Sequence, residues 1–168
     1  FEMSFDAPPP RALAPLLEHW NSEPQKIRVF RSKEWLSWRY SEDTDNDYKW
    51  VSAYQSGELR AVAVWGKQNK AWGRLTDNRA HLVDLLGEDP LALETVLAYL
   101  YRTLCYENVI LLETLSNVER VCKTLKKVGF LRHREAPFIV KTLDYTGYDL
   151  DVSSIYNWQI MGSDVDTL

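Results

Sequence analysis

Hydrophobic and polar positions change their spacing along the chain, and these changes predict its secondary structure. Apolar residues recur every three or four positions over residues 11–20 and 32–40, which predicts two short helices. Two strand-like runs follow at 49–55 and 59–65, and Gly57 between them favours a tight turn. We therefore predict two helices and then an antiparallel hairpin in the first half of the chain.

In the second half, short apolar runs alternate with amphipathic stretches, which predicts strands alternating with helices. Asp89 can cap the first of these helices. Ser116 or Asn117 can cap the second, and Gly129 is placed to end it. The run 108–115 is almost entirely apolar, which predicts a central strand covered on both faces. The predicted elements are strands 81–86, 108–115, 138–143 and 157–162, and helices 89–106 and 116–128.

Length and composition indicate one ordered domain. The chain has 168 residues, of which 45% are hydrophobic and 26% charged, so it has enough apolar material for one core. We predict a single domain over residues 1–168. Its start, Phe1-Glu2-Met3, is unusual for a natural protein and suggests a fragment of a longer chain.

Charge and cysteine usage narrow the partners and the compartment. The formal net charge is -4 and the basic residues are scattered, whereas nucleic-acid binding needs a clustered positive surface. No apolar run is long enough for a membrane-spanning helix, so we predict neither a nucleic-acid nor a membrane partner. Cys105 and Cys122 form no disulfide-rich pattern, which favours a reducing, cytoplasmic location. The histidines share no metal-ligand spacing with these cysteines, so no metal is predicted.

The order of predicted elements resembles that of the acyl-CoA-dependent N-acyltransferase (GNAT) superfamily. The sharpest local similarity is the helix that ends in Lys127-Val128-Gly129-Phe130, and the resemblance covers roughly residues 30–143. It implies a divergent or degenerate member. The implied fold is α/β (α+β), with a mixed central sheet, antiparallel N-terminal strands, two splayed parallel strands and helices on both faces.

The resemblance also implies a cofactor site, from which this sequence departs. In the family, the pantetheine arm of acetyl-CoA or another acyl-CoA enters the gap between the splayed strands, and Leu85, Leu86 and Gly87 lie at the matching place. The family's spacing places a cofactor-contacting Asn at Val118; Asn117, one residue away, is the candidate for that contact, but we favour a helix cap at this position. The family's glycine-rich loop offers N–H groups to the diphosphate. Here Glu88-Asp89-Pro90 supplies two carboxylates and a residue without an N–H, so we favour a structural cap.

Proton transfer would fall to carboxylates in the two splayed strands. Many family members have a proton-donating Tyr four residues before the glycine that ends this helix, whereas this chain has Leu125. Glu113 and Asp84 lie in the strands that border the gap and are the candidate catalytic bases. Glu113 can also simply reach solvent, and Asp84 can be held by an arginine or by the backbone.

Two functions therefore stay open. As an enzyme, the domain would transfer an acyl group from acyl-CoA, or another thioester donor, to a small-molecule or protein amine. Trp35, Trp38 and Arg39 would then line the acceptor groove by stacking, although they can also belong to a packed helix. Alternatively, the domain is a non-catalytic module that binds a substrate or a neighbouring domain of the parent chain.

Overall fold

A computed structural model describes residues 1–22, 26–40, 47–67, 78–133, 151 and 154–161. Within these ranges the helices are α1 (Pro10–Ser22), α2 (Lys33–Arg39), α3 (Pro90–Tyr106) and α4 (Glu119–Lys127), and a single 3₁₀ turn spans Ile155–Asn157. The strands are β1 (Glu2–Ser4), β2 (Ile27–Arg28), β3 (Tyr48–Gln55), β4 (Glu58–Lys67), β5 (Arg79–Gly87), β6 (Leu111–Thr114) and β7 (Trp158–Gln159). The predicted strand 138–143 lies outside the described residues.

The main sheet has the order β1-β3-β4-β5-β6, and β2 pairs separately with β7. Neighbours from β1 to β5 are antiparallel, whereas β5 and β6 are parallel. The predicted hairpin is confirmed: Gln55 pairs with Glu58, and the two residues between them, Ser56 and Gly57, have φ of 53° and 80°. Two positive φ values are typical of a type I′ turn, which suits the twist of a hairpin.

The parallel strands part at a defined place. Pairing between β5 and β6 ends at Leu82 and Thr114, although β5 continues to Gly87. Just beyond this point β5 carries one extra residue, because Val64 of β4 pairs with Asp84 while the next residue, Trp65, pairs with Leu82. This bulge bends the strand where it leaves its neighbour. The predicted pair of splayed parallel strands is therefore confirmed.

Helices cover both faces of the sheet, as predicted. Residues paired across neighbouring strands point to the same face. Gly87 faces α3, since a Cβ there would meet Leu93 of that helix. Asp84 faces the other side, where its partners are Arg31, which precedes α2, and Tyr40, which follows it. The buried stripe of α1 is also the predicted one: Leu13, Leu16, Leu17 and Trp20.

Three local predictions were wrong. The first of the parallel strands is longer than predicted and the second is shorter: β6 begins only at Leu111, and Asn108, the predicted start, has a φ of 56°, outside the extended region. Nor is β6 covered on both faces, since Leu111 is exposed and the other three residues of β6 are only half-buried. Finally, Val118 is the N-cap residue of α4, and neither Ser116 nor Asn117 caps it through its side chain.

Candidate functional site

Asp84 lies at the bulge of β5 and is completely buried. Its Oδ1 accepts a hydrogen bond from Arg31 Nη2 at 2.9 Å, and its Oδ2 accepts one from the Tyr40 hydroxyl at 2.5 Å. A carboxylate inside a sheet costs several kcal/mol unless it is paired and hydrogen-bonded. The sequence-based alternative, that an arginine holds Asp84, is therefore confirmed.

Arg31 is as buried as Asp84 and is held from several directions. Its guanidinium carbon lies 4.0 Å from the ring centre of Trp20 and 5.2 Å from that of Trp35. The amide of Asn21 fixes its backbone: Oδ1 accepts from Arg31 N at 3.0 Å, and Nδ2 donates to Arg31 O at 2.7 Å. The cation is thus positioned before any ligand binds.

Tyr40 connects this buried pair to the surface of the sheet. It follows the last turn of α2, where its backbone N–H donates to Leu36 O at 3.0 Å. Its half-buried ring makes edge contacts with Trp35, Tyr48 and Trp50 at centroid distances of 6.1, 5.0 and 5.4 Å. Such aromatic contacts restrict the ring, so the phenol oxygen stays at Asp84. Sequence analysis missed Tyr40, Arg31 and Asn21.

Glu113 lies in a different setting from Asp84. It is directly opposite His81 on the neighbouring parallel strand, and its Oε2 lies 3.6 Å from Arg79 Nη1. Its side chain is 31% exposed, so solvent or a ligand can reach it. Burial lowers the pKa of His81, with Glu113 opposing and Arg79 reinforcing the shift. The imidazole is therefore neutral at pH 7. Glu113 stays a candidate base.

The turn from β5 into α3 has the predicted structural cap. Asp89 is the N-cap residue, and its Oδ1 accepts from Leu91 N at 2.9 Å. Pro90 occupies the first turn and has no N–H to offer. Glu88 is exposed, and its carboxylate lies 3.4 Å from His19 Nδ1. At this turn one N–H that could bind a diphosphate is thus engaged by Asp89, and Pro90 has none to offer.

Gly87 is required for packing at this turn. A Cβ on this residue would lie 2.9 Å from both Ala61 Cβ and Leu93 Cδ2, and 3.0 Å from Arg60 O. Leu85 and Leu86 before it are fully buried. They lie beyond Leu82, where β5 no longer pairs with β6. Their predicted contact with a cofactor arm stays a prediction.

Asn117 joins the start of α4 to the C-terminal segment. Its Nδ2 donates to Trp158 O at 3.0 Å and to Ile155 O at 3.3 Å, and its Oδ1 accepts from Ile160 N at 2.7 Å. The amide is therefore already engaged by protein atoms. Its predicted cofactor contact stays a prediction, and one that would require these bonds to change.

The three predicted acceptor residues of α2 do not lie together. Trp35 packs against the core and beside Arg31. Trp38 is 68% exposed and Arg39 is half-buried. Only Trp35 therefore belongs to the surroundings of Asp84, while Trp38 is available to a ligand from solvent.

Other features of the described residues give no competing site. They contain no group of three or more His, Cys, Asp or Glu side chains that could hold a metal ion. None of their helices is long and apolar enough to span a membrane. A shallow cavity of about 350 Å³ contains none of the predicted site residues. It is lined by Phe5, Tyr48, Lys49, Trp50, Trp65, Thr103 and Glu107.

Solved structures share this fold at low sequence identity. An aminoglycoside acetyltransferase from an uncultured soil metagenomic sample, in complex with sisomicin, superposes with a TM-score of 0.57 at 8% identity, covering 84% of this chain and 97% of that one. Aminoglycoside antibiotic 6′-N-acetyltransferase AAC(6′)-IG from Acinetobacter haemolyticus gives 0.56 at 11%, covering 86% and 100%. AAC(6′)-Iy in complex with the bisubstrate analog CoA-S-monomethyl-acetylneamine gives 0.54 at 14%, covering 84% and 99%. By sequence, neither a protein family nor a curated protein matches. The chain therefore has the GNAT fold.

Proposed function

We propose that this chain, which has the GNAT fold, transfers an acyl group from a thioester donor to an amine acceptor. The observation that carries the proposal is the parting of β5 from β6 beside a buried, hydrogen-bonded carboxylate. Pairing stops at Leu82 and Thr114, and Asp84 follows within two residues. The gap offers a place for the donor arm, and the Asp84–Tyr40 pair offers a path for a proton.

The donor supplies an acyl carbonyl with a thiolate leaving group. The acceptor nitrogen attacks that carbonyl carbon, a C–N bond forms, and the C–S bond breaks. Tyr40 Oη accepts the proton that nitrogen loses while passing its own to Asp84 Oδ2, 2.5 Å away. Arg31 keeps the carboxylate oriented at 2.9 Å. Glu113 is the second candidate acceptor of this proton, because it is accessible from solvent.

The acceptor is proposed to be a small molecule with amino groups. Three structural neighbours are aminoglycoside acetyltransferases, so amino sugars are the first compounds to test. Exposed Trp38 offers an aromatic surface to a ligand from solvent, and Arg39 follows it on α2. A protein amine remains an alternative acceptor, to be tested with lysine-containing peptides.

Replacing Tyr40 by Phe tests the relay while keeping the ring contacts. Thiol release from acetyl thioesters of pantetheine and of coenzyme A should be measured against a panel of amines. We expect kcat to fall about 10²–10⁴-fold in Tyr40→Phe, since that is the usual contribution of general acid–base catalysis. Tyr106→Phe, at an exposed position of α3, is the matched control and should keep full activity. Equal activity of Tyr40→Phe and the unchanged protein would exclude the relay.

A second candidate is a non-catalytic module that binds a substrate or a neighbouring domain. It is supported by the capped turn at Asp89 and by buried Leu125, which stands where many GNAT enzymes have an acidic phenol. A folded protein that releases no thiol from either thioester with any amine would favour this function over acyl transfer.

A further inference from the structure

The start of α3 disfavours a diphosphate group. Asp89 already accepts the N–H of Leu91, and Pro90 offers none. Glu88 adds a second carboxylate at the same turn. Like charges a few ångströms apart repel, and they do so more strongly near a protein surface than in bulk water. Free coenzyme A would bring its diphosphate to this turn, and the residues present do not fit it.

The carboxylates at the start of α3 do not affect the proposed place of the pantetheine arm. The arm would enter the gap between the two parallel strands, where β5 runs from Val83 to Gly87 without a β6 partner. Backbone groups on an unpaired strand edge can bind the amides of an arm. The structure therefore combines a site for the arm with a turn that rejects a diphosphate.

A basic surface lies directly after this gap. The basic residues are less scattered than the sequence analysis took them to be, because segment 119–133 holds five Lys and Arg residues against one Glu, a net charge of +4 in a chain of net charge -4. We name it the α4 basic surface, and its members are Arg120, Lys123, Lys126, Lys127 and Arg132. Lys123 and Lys127 are exposed, and within the described ranges Lys123 pairs with exposed Glu119 and Lys127 with half-buried Glu94. An exposed pair such as Lys123–Glu119 is weak, so a partner can compete for its cation.

Apolar side chains accompany these charges. Leu131 is 90% exposed, and Val128 beside it is also exposed. The opposite side of α4 is buried through Val121 and Leu125. Four residues separate the end of β6 from the start of α4, so a macromolecule bound to the outer side of α4 sits next to the gap. A surface that carries both cations and exposed apolar side chains is complementary to an acidic protein surface.

We infer that the acyl donor is a 4′-phosphopantetheine thioester attached to an acidic carrier protein, an inference that rests on the acyl transfer proposed above. Such a donor has the arm and a single phosphate but no free diphosphate at its end. The carrier docks on the α4 basic surface and its arm enters between β5 and β6. The acyl C–S bond breaks as the C–N bond to the acceptor forms, and the carrier is released with a free thiol.

The first experiment separates the arm from the diphosphate. Dissociation constants of acetyl-pantetheine and acetyl-CoA are measured by calorimetry. We expect the two to agree within about threefold, since the diphosphate finds no favourable contact. Asp89→Gly combined with Pro90→Ala frees N–H groups while keeping an acceptable cap. This variant should bind acetyl-CoA about tenfold more tightly and acetyl-pantetheine unchanged.

The second experiment tests the carrier. A bacterial acyl carrier protein is titrated in its holo form and, as a control, without its arm. We expect holo carrier to bind more tightly than either apo carrier or acetyl-pantetheine, and to weaken as salt rises. Lys123→Glu with Lys126→Glu should weaken holo carrier at least about tenfold and leave acetyl-pantetheine unchanged. Arg11→Glu with Arg102→Glu makes the same charge change elsewhere and should have little effect.

The outcomes distinguish this inference from the proposed function. Acetyl-CoA bound at least about tenfold more tightly than acetyl-pantetheine would overturn the carrier-linked donor and leave acyl transfer standing. Equal binding of the two small donors with no binding of holo carrier would also overturn it. Binding of none of the three would remove the donor site altogether, and with it the proposed function.

Discussion

Asp84 and Asp89 are five residues apart, yet their carboxylates have different kinds of hydrogen-bond partner. Asp84 is completely buried, and two partners from distant parts of the chain neutralise and orient it. Asp89 lies at a half-buried turn and binds an N–H two residues away. Burial therefore decides which partner a carboxylate needs. Inside the sheet it needs a cation, whereas at a helix start the local backbone suffices.

The two residues also divide the candidate site into a retained part and an altered part. Around Asp84, the bulge and the parting of β5 from β6 preserve a place for chemistry. Around Asp89, the cap engages the N–H of Leu91, and Pro90 offers none to a diphosphate. Both parts belong to one strand and the helix that follows it, so changes to either can be compared in one folded protein.

The largest expected effect comes from breaking the buried pair. Asp84→Ala leaves the Arg31 cation buried without its counter-charge, which should lower the free energy of unfolding by about 3–5 kcal/mol. Urea denaturation measures this loss. Asp84→Leu combined with Arg31→Met should recover most of it, because neither charge then remains buried. A loss below about 1 kcal/mol in Asp84→Ala would contradict the assignment of a buried ion pair.

Gly87→Ala should have the next largest effect. The new methyl group would lie 2.9 Å from Ala61 and from Leu93, closer than packed carbon atoms approach. We expect a loss of about 1–3 kcal/mol in the free energy of unfolding, as for other overpacked cores. Gly57→Asn, at a positive φ with open space around it, serves as the control and should change stability by less than about 0.5 kcal/mol. Wild-type stability of Gly87→Ala would show that β5 and α3 can separate freely.

Removing the cap should cost less than either core change. Asp89→Ala loses the hydrogen bond to Leu91 N and should destabilise the protein by about 1 kcal/mol. Thermal and urea unfolding measure the change. Glu88→Ala removes only an exposed contact to His19 and should be close to neutral. If the two variants behave alike, Asp89 is not the group that starts α3.

The smallest effect is a pH dependence near His81. Burial lowers its pKa below the ordinary 6.5, so the unfolded chain takes up a proton at a higher pH than the folded one. The resulting stability is present above about pH 6.5 and is lost as the pH falls through the lowered pKa. His81→Gln should show a flatter stability profile between pH 7 and 5. An unchanged profile would mean that His81 is not desolvated.

Much of the fold could be predicted because its signals are local. Alternating runs and Gly57 predicted the hairpin, and Asp89 predicted the start of α3 that the structure has. The cap of α4 was mispredicted because Ser116 and Asn117 are both typical cap residues, whereas the N-cap position falls one residue later, at Val118. The late start of β6 could not be seen in the sequence either, because a positive φ at Asn108 leaves little trace in the pattern of hydrophobic residues.

The candidate site was predicted only in part. Asp84 and Glu113 stood out as carboxylates in apolar strands, and an arginine partner for Asp84 was one of the open alternatives. Which arginine it is could not be read from the sequence, because Arg31 and Tyr40 lie 53 and 44 positions before Asp84. The predicted grouping of Trp35 with Trp38 also depended on packing that a helical repeat does not specify.

By itself, the sequence determined the main helices and strands, the tight turn at Gly57 and the cap at the start of α3, since each depends on backbone geometry within a few residues. Tertiary structure alone decided which distant side chains meet at Asp84 and where β5 leaves β6. Those outcomes follow from burial, because removing a carboxylate from water requires a partner from whichever part of the chain packs against it.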